Sequence, residues 1–153
     1  MADDSRDATI TIALTNDLRK IARVAARIDE YCSARGVAPE TVYAINLAVD
    51  ELLINTISHG YDDDEPHRIE VILRLEGNMV VVAIVDDSAP FDPTEIGEPD
   101  INALVDGEEI GGREMEGLGL LLVNRTMDGV EYRRRGGCNV VTLTKNMAGE
   151  EGR

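Results

Sequence analysis

The sequence predicts one domain in which helices are joined to an antiparallel sheet, and three observations carry that expectation. Its 153 residues suit a single hydrophobic core. Two long stretches, Leu18 to Cys32 and Val42 to Leu53, place apolar residues three and four apart, the spacing of a helix with one buried face. Arg68 to Glu76 alternates apolar and polar residues, and a two-residue Gly77-Asn78 turn then leads into Met79 to Val85, which marks an antiparallel hairpin.

Taken in order, residues 1 to 8 are polar and acidic and read as a frayed terminus. Thr9 to Leu14 alternates, with Ile10, Ile12 and Leu14 on one face, and is expected to form a strand at a sheet edge. Thr15 or Asn16 can cap the first helix, and Gly36 ends it. Pro39 suits the first turn of the second helix and Glu40 its positive end, while Gly60 closes it. Tyr61 to Pro66, with three consecutive aspartates, is a solvated loop.

The strand Met79 to Val85 is apolar on both faces, as befits a sheet centre, and stops at Asp86-Asp87. Thr94 to Glu116 holds few apolar residues and reads as a functional lid. A short helix is then expected to open at Gly117-Leu118-Gly119 and run to Met127. A last hairpin turns at Gly136-Gly137, and Asn146 to Arg153 forms a polar tail. The ordered core is expected over about residues 9–145 of a single domain spanning 1–153.

Thirty acids against fifteen bases give a net charge of -15, which opposes nucleic acid and anionic lipid as partners. One Phe, four Tyr and no Trp leave little for base stacking. No apolar run reaches membrane-spanning length and MADDSRD lacks a signal pattern, so a cytoplasmic protein is expected. Cys32 and Cys138 have no ligand-like companions and read as packed thiols.

Chemistry concentrates in three places. Glu51 and Asn55 stand four residues apart within LAVDELLINTISHG, so a helix projects both from one face. Alone they read as two solvated polar residues; beside the other two features they read as a site. Asp86 ends a buried strand, where a carboxylate can accept a hydrogen bond from an exocyclic amine. Gly117 and Gly119 open a helix, and unpaired N–H groups at a helix start bind phosphate. Asn55 offers a neutral oxygen to a divalent ion, which leaves Glu51 free as a base.

The segments ELLINTISHGY (51–61), VDDSAPFDP (85–93) and GLGLLLVNRTMDGVEYRRRGG (117–137) resemble the three boxes of the Bergerat-type ATP-binding superfamily. Within it the chain is most similar to bacterial anti-sigma factor serine kinases. The resemblance implies an α/β sandwich with helices on one face of a mixed, mostly antiparallel sheet. It assigns the general base to Glu51, Mg²⁺ to Asn55 and the adenine amine to Asp86, with Ser88 in the same wall and Gly117, Leu118 and Gly119 beside the phosphates of ATP. The acceptor it implies is a serine on an anti-sigma factor antagonist. A sigma factor is a second implied partner, and the implied assembly is a homodimer.

Two departures accompany the resemblance. Asp86-Asp87-Ser88 stands where the family usually has Asp-x-Gly, so Ser88 is expected to weaken or reshape adenine binding. Glu114 and Glu116 precede the glycines and oppose phosphate, with Arg113 as an offset. His59 and His67 receive structural roles, which argues against a sensor histidine kinase. Arg133-Arg134-Arg135 reads as a solvated hairpin edge. The alternative function is a non-catalytic module that binds an antagonist or a sigma factor and senses nucleotide.

Overall fold

The computed structural model describes residues 8–95 and 112–149, the side chains of 112–117 excepted. In chain order it builds β1 (Ile10–Thr15), α1 (Ile21–Ala34), α2 (Pro39–His59), β2 (Arg68–Glu76), β3 (Met79–Asp86), α3 (Gly112–Thr126), β4 (Gly129–Arg135) and β5 (Cys138–Asn146). Single 3-10 turns lie at Leu18–Lys20 and Pro93–Glu95. The expected frayed start, the middle of the expected lid and the end of the expected tail (1–7, 96–111 and 150–153) lie outside the described residues.

The strands form one sheet in the order β1-β2-β3-β5-β4, and β1 is an edge as expected. All four pairings are antiparallel, so the described strands include no parallel pair of the kind a mixed sheet contains. Two of the pairs are tight hairpins, which admit no other direction. The Gly136-Gly137 turn needs both residues at positive φ, +55° and +79°, which glycine adopts without Cβ strain.

Strand alternation sorts the side chains between the two faces of the sheet. Ile12, Leu14, Ile69, Val71, Leu73, Val80, Val82, Ile84, Val141 and Leu143 are buried on one of them, and with α1, α2 and α3 they close a single core. α1 contributes Val24, Ile28 and Cys32, and α2 contributes Ile45, Val49, Leu52 and Leu53. Burial pushes the Cys32 thiol up to about 11, so it is a packed thiol and not a nucleophile. No helix among the described residues is long and apolar enough to cross a membrane.

Two local expectations are corrected. Asp17, rather than Thr15 or Asn16, caps the turn before α1, its Oδ1 accepting the Arg19 N–H at 2.9 Å. The Asn16 side chain is committed elsewhere, since its Oδ1 accepts the His67 N–H at 2.7 Å. The second correction concerns α3, which starts at Gly112 and not at Gly117. Arg113, Glu114, Met115 and Glu116 are all good helix formers, and they offset the roughly 1 kcal/mol that each interior glycine costs. Gly117, Leu118 and Gly119 therefore lie inside the helix, with their N–H groups spent on carbonyls four residues back.

Candidate active site

A cavity of about 520 Å³ opens between the C-terminal half of α2 and the ends of β3 and β5. Small-molecule sites commonly enclose roughly 300 to 1,000 Å³, so the space suits a nucleotide-sized ligand. Leu52, Ile84 and Val141 supply apolar wall; Asn55, Asp86, Ser88 and Asn139 supply the polar groups.

Asp86 occupies this wall because it continues the row Val80, Val82, Ile84 on the helix-facing side of β3. It is 4% exposed, a costly place for a carboxylate without partners. Its Oδ1 accepts the Ser88 N–H at 3.1 Å, the Ser88 hydroxyl, and Asn139 Nδ2 at 3.1 Å. Among the described residues no donor reaches Oδ2. That oxygen keeps its acceptor capacity unused among the described residues.

Asn139 orients the whole cluster. Its Nδ2 donates to Asp86 Oδ1, to Ser88 Oγ at 3.0 Å and to the Ala89 carbonyl at 2.9 Å. Its Oδ1 accepts from the Tyr132 hydroxyl at 2.6 Å and from Arg134 Nη1 at 3.1 Å. With acceptors on one side and donors on the other, the amide has one satisfactory orientation. Arg134 is exposed on the edge strand, as expected, and it also donates to the Ser88 carbonyl at 2.7 Å, which braces the cavity rim. Tyr132 and Arg134 share the helix-facing side of β4, and Arg133 and Arg135 are exposed on the other side.

Ser88 is buried in the same wall, and Gly60 makes the room for it. A Cβ on Gly60 would stand 2.7 Å from Ser88 Cβ and 2.6 Å from the Thr56 carbonyl oxygen. The side chain present at position 88 is matched by its absence at position 60. Ser88 is thus seated within the cavity wall.

Glu51 lies apart from this cavity. It lines two small pockets in the seam between α2 and α3, one with Ile54, Asn55, His59 and Leu120, the other with Leu47, Ala48, Gly119 and Leu122. Asn55 belongs both to the first of these and to the large cavity, so it links the two spaces. Gly119 touches the acid directly: a Cβ there would stand 2.9 Å from Glu51 Cδ and closer still to Oε2. In this arrangement Gly119 lets α3 close over Glu51, a role distinct from the expected phosphate contact.

No group of three or more His, Cys, Asp or Glu side chains able to hold a metal ion occurs among the described residues. The single amide oxygen of Asn55 fits a Mg²⁺ that takes its other ligands from phosphates and water.

The model of the histidine kinase-like ATPase domain matches residues 14–145. The chain belongs to that family. Among the members it resembles, the serine/threonine-protein kinase BtrW of Bordetella bronchiseptica is 33% identical over 108 residues, covering 71% of this chain and 72% of that protein. The serine-protein kinase RsbW of Listeria innocua is 28% identical over 113 residues, covering 74% and 71%. By this kinship the chain is a serine/threonine-protein kinase with an ATP site. A solved structure of the RsbU and RsbW domains of Rv1364c from Mycobacterium tuberculosis aligns with a TM-score of 0.63 over 92% of this chain, at 18% identity. The chain spans 32% of that chain, and the likeness is one of fold.

This member of the family carries a tie beside the cavity wall. His67 stacks on Tyr61, with ring centroids 4.2 Å apart. Its Nε2 lies 2.8 Å from Asp63 Oδ1 and its Nδ1 lies 3.2 Å from Asp87 Oδ2. Two carboxylates can be satisfied together only by the imidazolium, in which both nitrogens donate. Asp63, and after it Asp87, accordingly raise the pKa of His67, while His67 lowers that of Asp63. The tie joins the loop after α2 to the Asp86–Ser88 turn, which agrees with the structural role read for His67. His59 goes beyond its expected role, since it lines both the large cavity and the first small pocket.

Asn139, Arg134 and Gly60 are not among the candidate site residues that the sequence offers. One signal was present: Asn139 is polar at an inward position of a strand whose next inward residues are Val141 and Leu143.

Proposed function

We propose that the chain transfers the γ-phosphoryl group of ATP to a serine of an anti-sigma factor antagonist, within a partner-switching system that also engages a sigma factor. The observation that carries this reading is the place of Asn55, shared between a nucleotide-sized cavity ending at Asp86 and the small pocket that holds Glu51. Adenine sits at the Asp86 end, its exocyclic amine donating to Oδ2. Asn55 would hold Mg²⁺, which when bound would offset phosphate charge. Glu51 accepts the proton of the serine hydroxyl as its oxygen forms a bond to the γ-phosphorus; the bond to the bridging oxygen breaks, and ADP leaves with that oxygen.

Contact of Gly117, Leu118 and Gly119 with the phosphates requires α3 to begin later than Gly112 once nucleotide is bound, because their N–H groups are otherwise spent. A single domain, a homodimer and a cytoplasmic location complete the proposal.

The test is equilibrium binding of a fluorescent ATP analogue with and without Mg²⁺, to the native protein and to Asn55→Ala. Binding that depends on Mg²⁺ and is lost in Asn55→Ala supports the reading. Binding indifferent to both contradicts it. Stoichiometric capture of an antagonist with no phosphoserine formed would favour the non-catalytic module instead.

A further inference from the structure

Six large apolar side chains stand exposed among the described residues; three of them border Glu51 and a fourth, Tyr43, continues their strip. Tyr43, Leu47 and Ile54 on α2 are 72%, 38% and 44% exposed, and Leu122 on α3 is 46% exposed. Leu47 and Leu122 line one small pocket with Glu51, and Ile54 lines the other. Tyr43 lies one helical turn before Leu47 on the same face. Exposed apolar residues scattered singly need no explanation, but a cluster around a functional acid does.

The order of residues along α2 gives the cluster a direction. Asn55 follows Glu51 by one turn and opens on the nucleotide cavity; Leu47 precedes it by one turn. At 1.5 Å per residue the two stand about 6 Å to either side of Glu51 along the axis. Ile54, three residues after Glu51, lies on the Asn55 side along the axis, but at about 3.6 residues per turn it shares with Leu47 and Tyr43 the flank of α2 that Asn55 does not occupy. The nucleotide space and the apolar strip therefore meet Glu51 from different flanks.

We propose that Tyr43, Leu47, Ile54 and Leu122 form the docking surface for the acceptor protein, and that its serine lies in a segment flanked by apolar side chains. The inference rests on the kinase reading. A serine delivered to Glu51 carries its neighbours onto Leu47, Ile54 and Leu122, so these residues contact the acceptor if Glu51 does. Asp50 and Glu51 are consecutive carboxylates beside the strip, and they favour a neutral or basic segment over an acidic one. A nucleotide's own phosphates find neither apolar match nor positive charge in these side chains. The strip thus selects substrate while the cavity selects ATP.

The test uses the full chain and, as acceptors, the purified small anti-sigma factor antagonists of the source organism. Leu47→Ser and the double variant Tyr43→Ser with Leu122→Ser are compared with the native protein and with Leu18→Ser, an exposed leucine elsewhere. With the burial of a leucine-sized side chain lost, the acceptor KM should rise roughly tenfold or more in each strip variant. Affinity for the ATP analogue and kcat at saturating acceptor should stay within about twofold, and Leu18→Ser should match native.

An unchanged KM overturns the proposal, and so does a parallel loss of ATP affinity. Sedimentation in which the strip variants dissociate a homodimer while KM holds reassigns the strip to contact between copies. If no antagonist receives phosphate from the native protein, the kinase reading fails, and calorimetric binding decides the surface by itself. Capture weakened by the strip variants sustains it; capture unchanged, or absent, overturns it.

Discussion

The two ends of the site are built on opposite principles. At the Asp86 end, five side chains from three strands and a turn hydrogen-bond to one another and to the neighbouring backbone. At the Glu51 end, a carboxylate rests in a seam between two helices, against a glycine and beside exposed apolar side chains. A ligand group common to every turnover is best met by a fixed wall, since ordering it beforehand removes that cost from binding. A base that must meet a visiting protein has to stay reachable. Under the proposed function, the difference separates recognition of the nucleotide from transfer to the acceptor.

The largest effect is expected at the seam. Glu51→Ala should lower phosphate transfer roughly 10²- to 10⁴-fold, measured by label incorporation into the acceptor. Gly119→Ala sharpens the comparison without removing the acid. Its methyl group must displace the Glu51 carboxylate, the far end of a flexible side chain, so the fold should survive. Transfer should fall on the order of 10- to 100-fold through misplacement of the base, with ATP affinity unchanged. Equal loss of thermal stability and of transfer would make Gly119 a packing residue only.

The wall should respond in stability. Asn139→Ala leaves the Ala89 carbonyl and the Tyr132 hydroxyl short of partners inside the protein, and should cost about 1 to 3 kcal/mol in denaturant unfolding. An effect near zero would show that water replaces the amide and that the wall is less closed than its geometry indicates.

The smallest effect concerns pH. The folded pKa of His67 is raised above its unfolded value, so its contribution to stability is fully present below about 6.5 and is lost as pH rises through the folded value. Asp63 has the opposite sign: its pKa is lowered, and its contribution is lost as pH falls through the folded value. The tie therefore holds best between those limits. An NMR titration should show Asp63→Asn lowering the His67 pKa more than Asp87→Asn does; no change in either variant would remove the imidazolium from the account.

Much of this was legible in the chain because it follows from periodicity. The alternation in Arg68 to Glu76 fixed which side chains face the helices, and the four-residue spacing placed Glu51 and Asn55 on one face of α2. The end of the apolar run at Asp86 marked the cavity wall. What stayed hidden depends on contacts between distant segments. Gly60 and Ser88 are 28 positions apart and are explained only by their mutual approach, and Asn139 acquires its role because β5 pairs with β3, opposite Asp86. The start of α3 was misplaced because two glycines read as a boundary, although the residues before them favour a helix strongly enough to carry it through.

The most direct test of the division between wall and seam is the dissociation constant of a fluorescent ATP analogue for the native protein, Asp86→Asn and Glu51→Ala, measured in parallel with Mg²⁺ present. Loss of a charge-assisted hydrogen bond should weaken binding to Asp86→Asn by about 10- to 100-fold. Glu51→Ala should bind as the native protein does. Equal weakening in both variants would contradict the account, because the acid in the seam would then belong to the nucleotide wall.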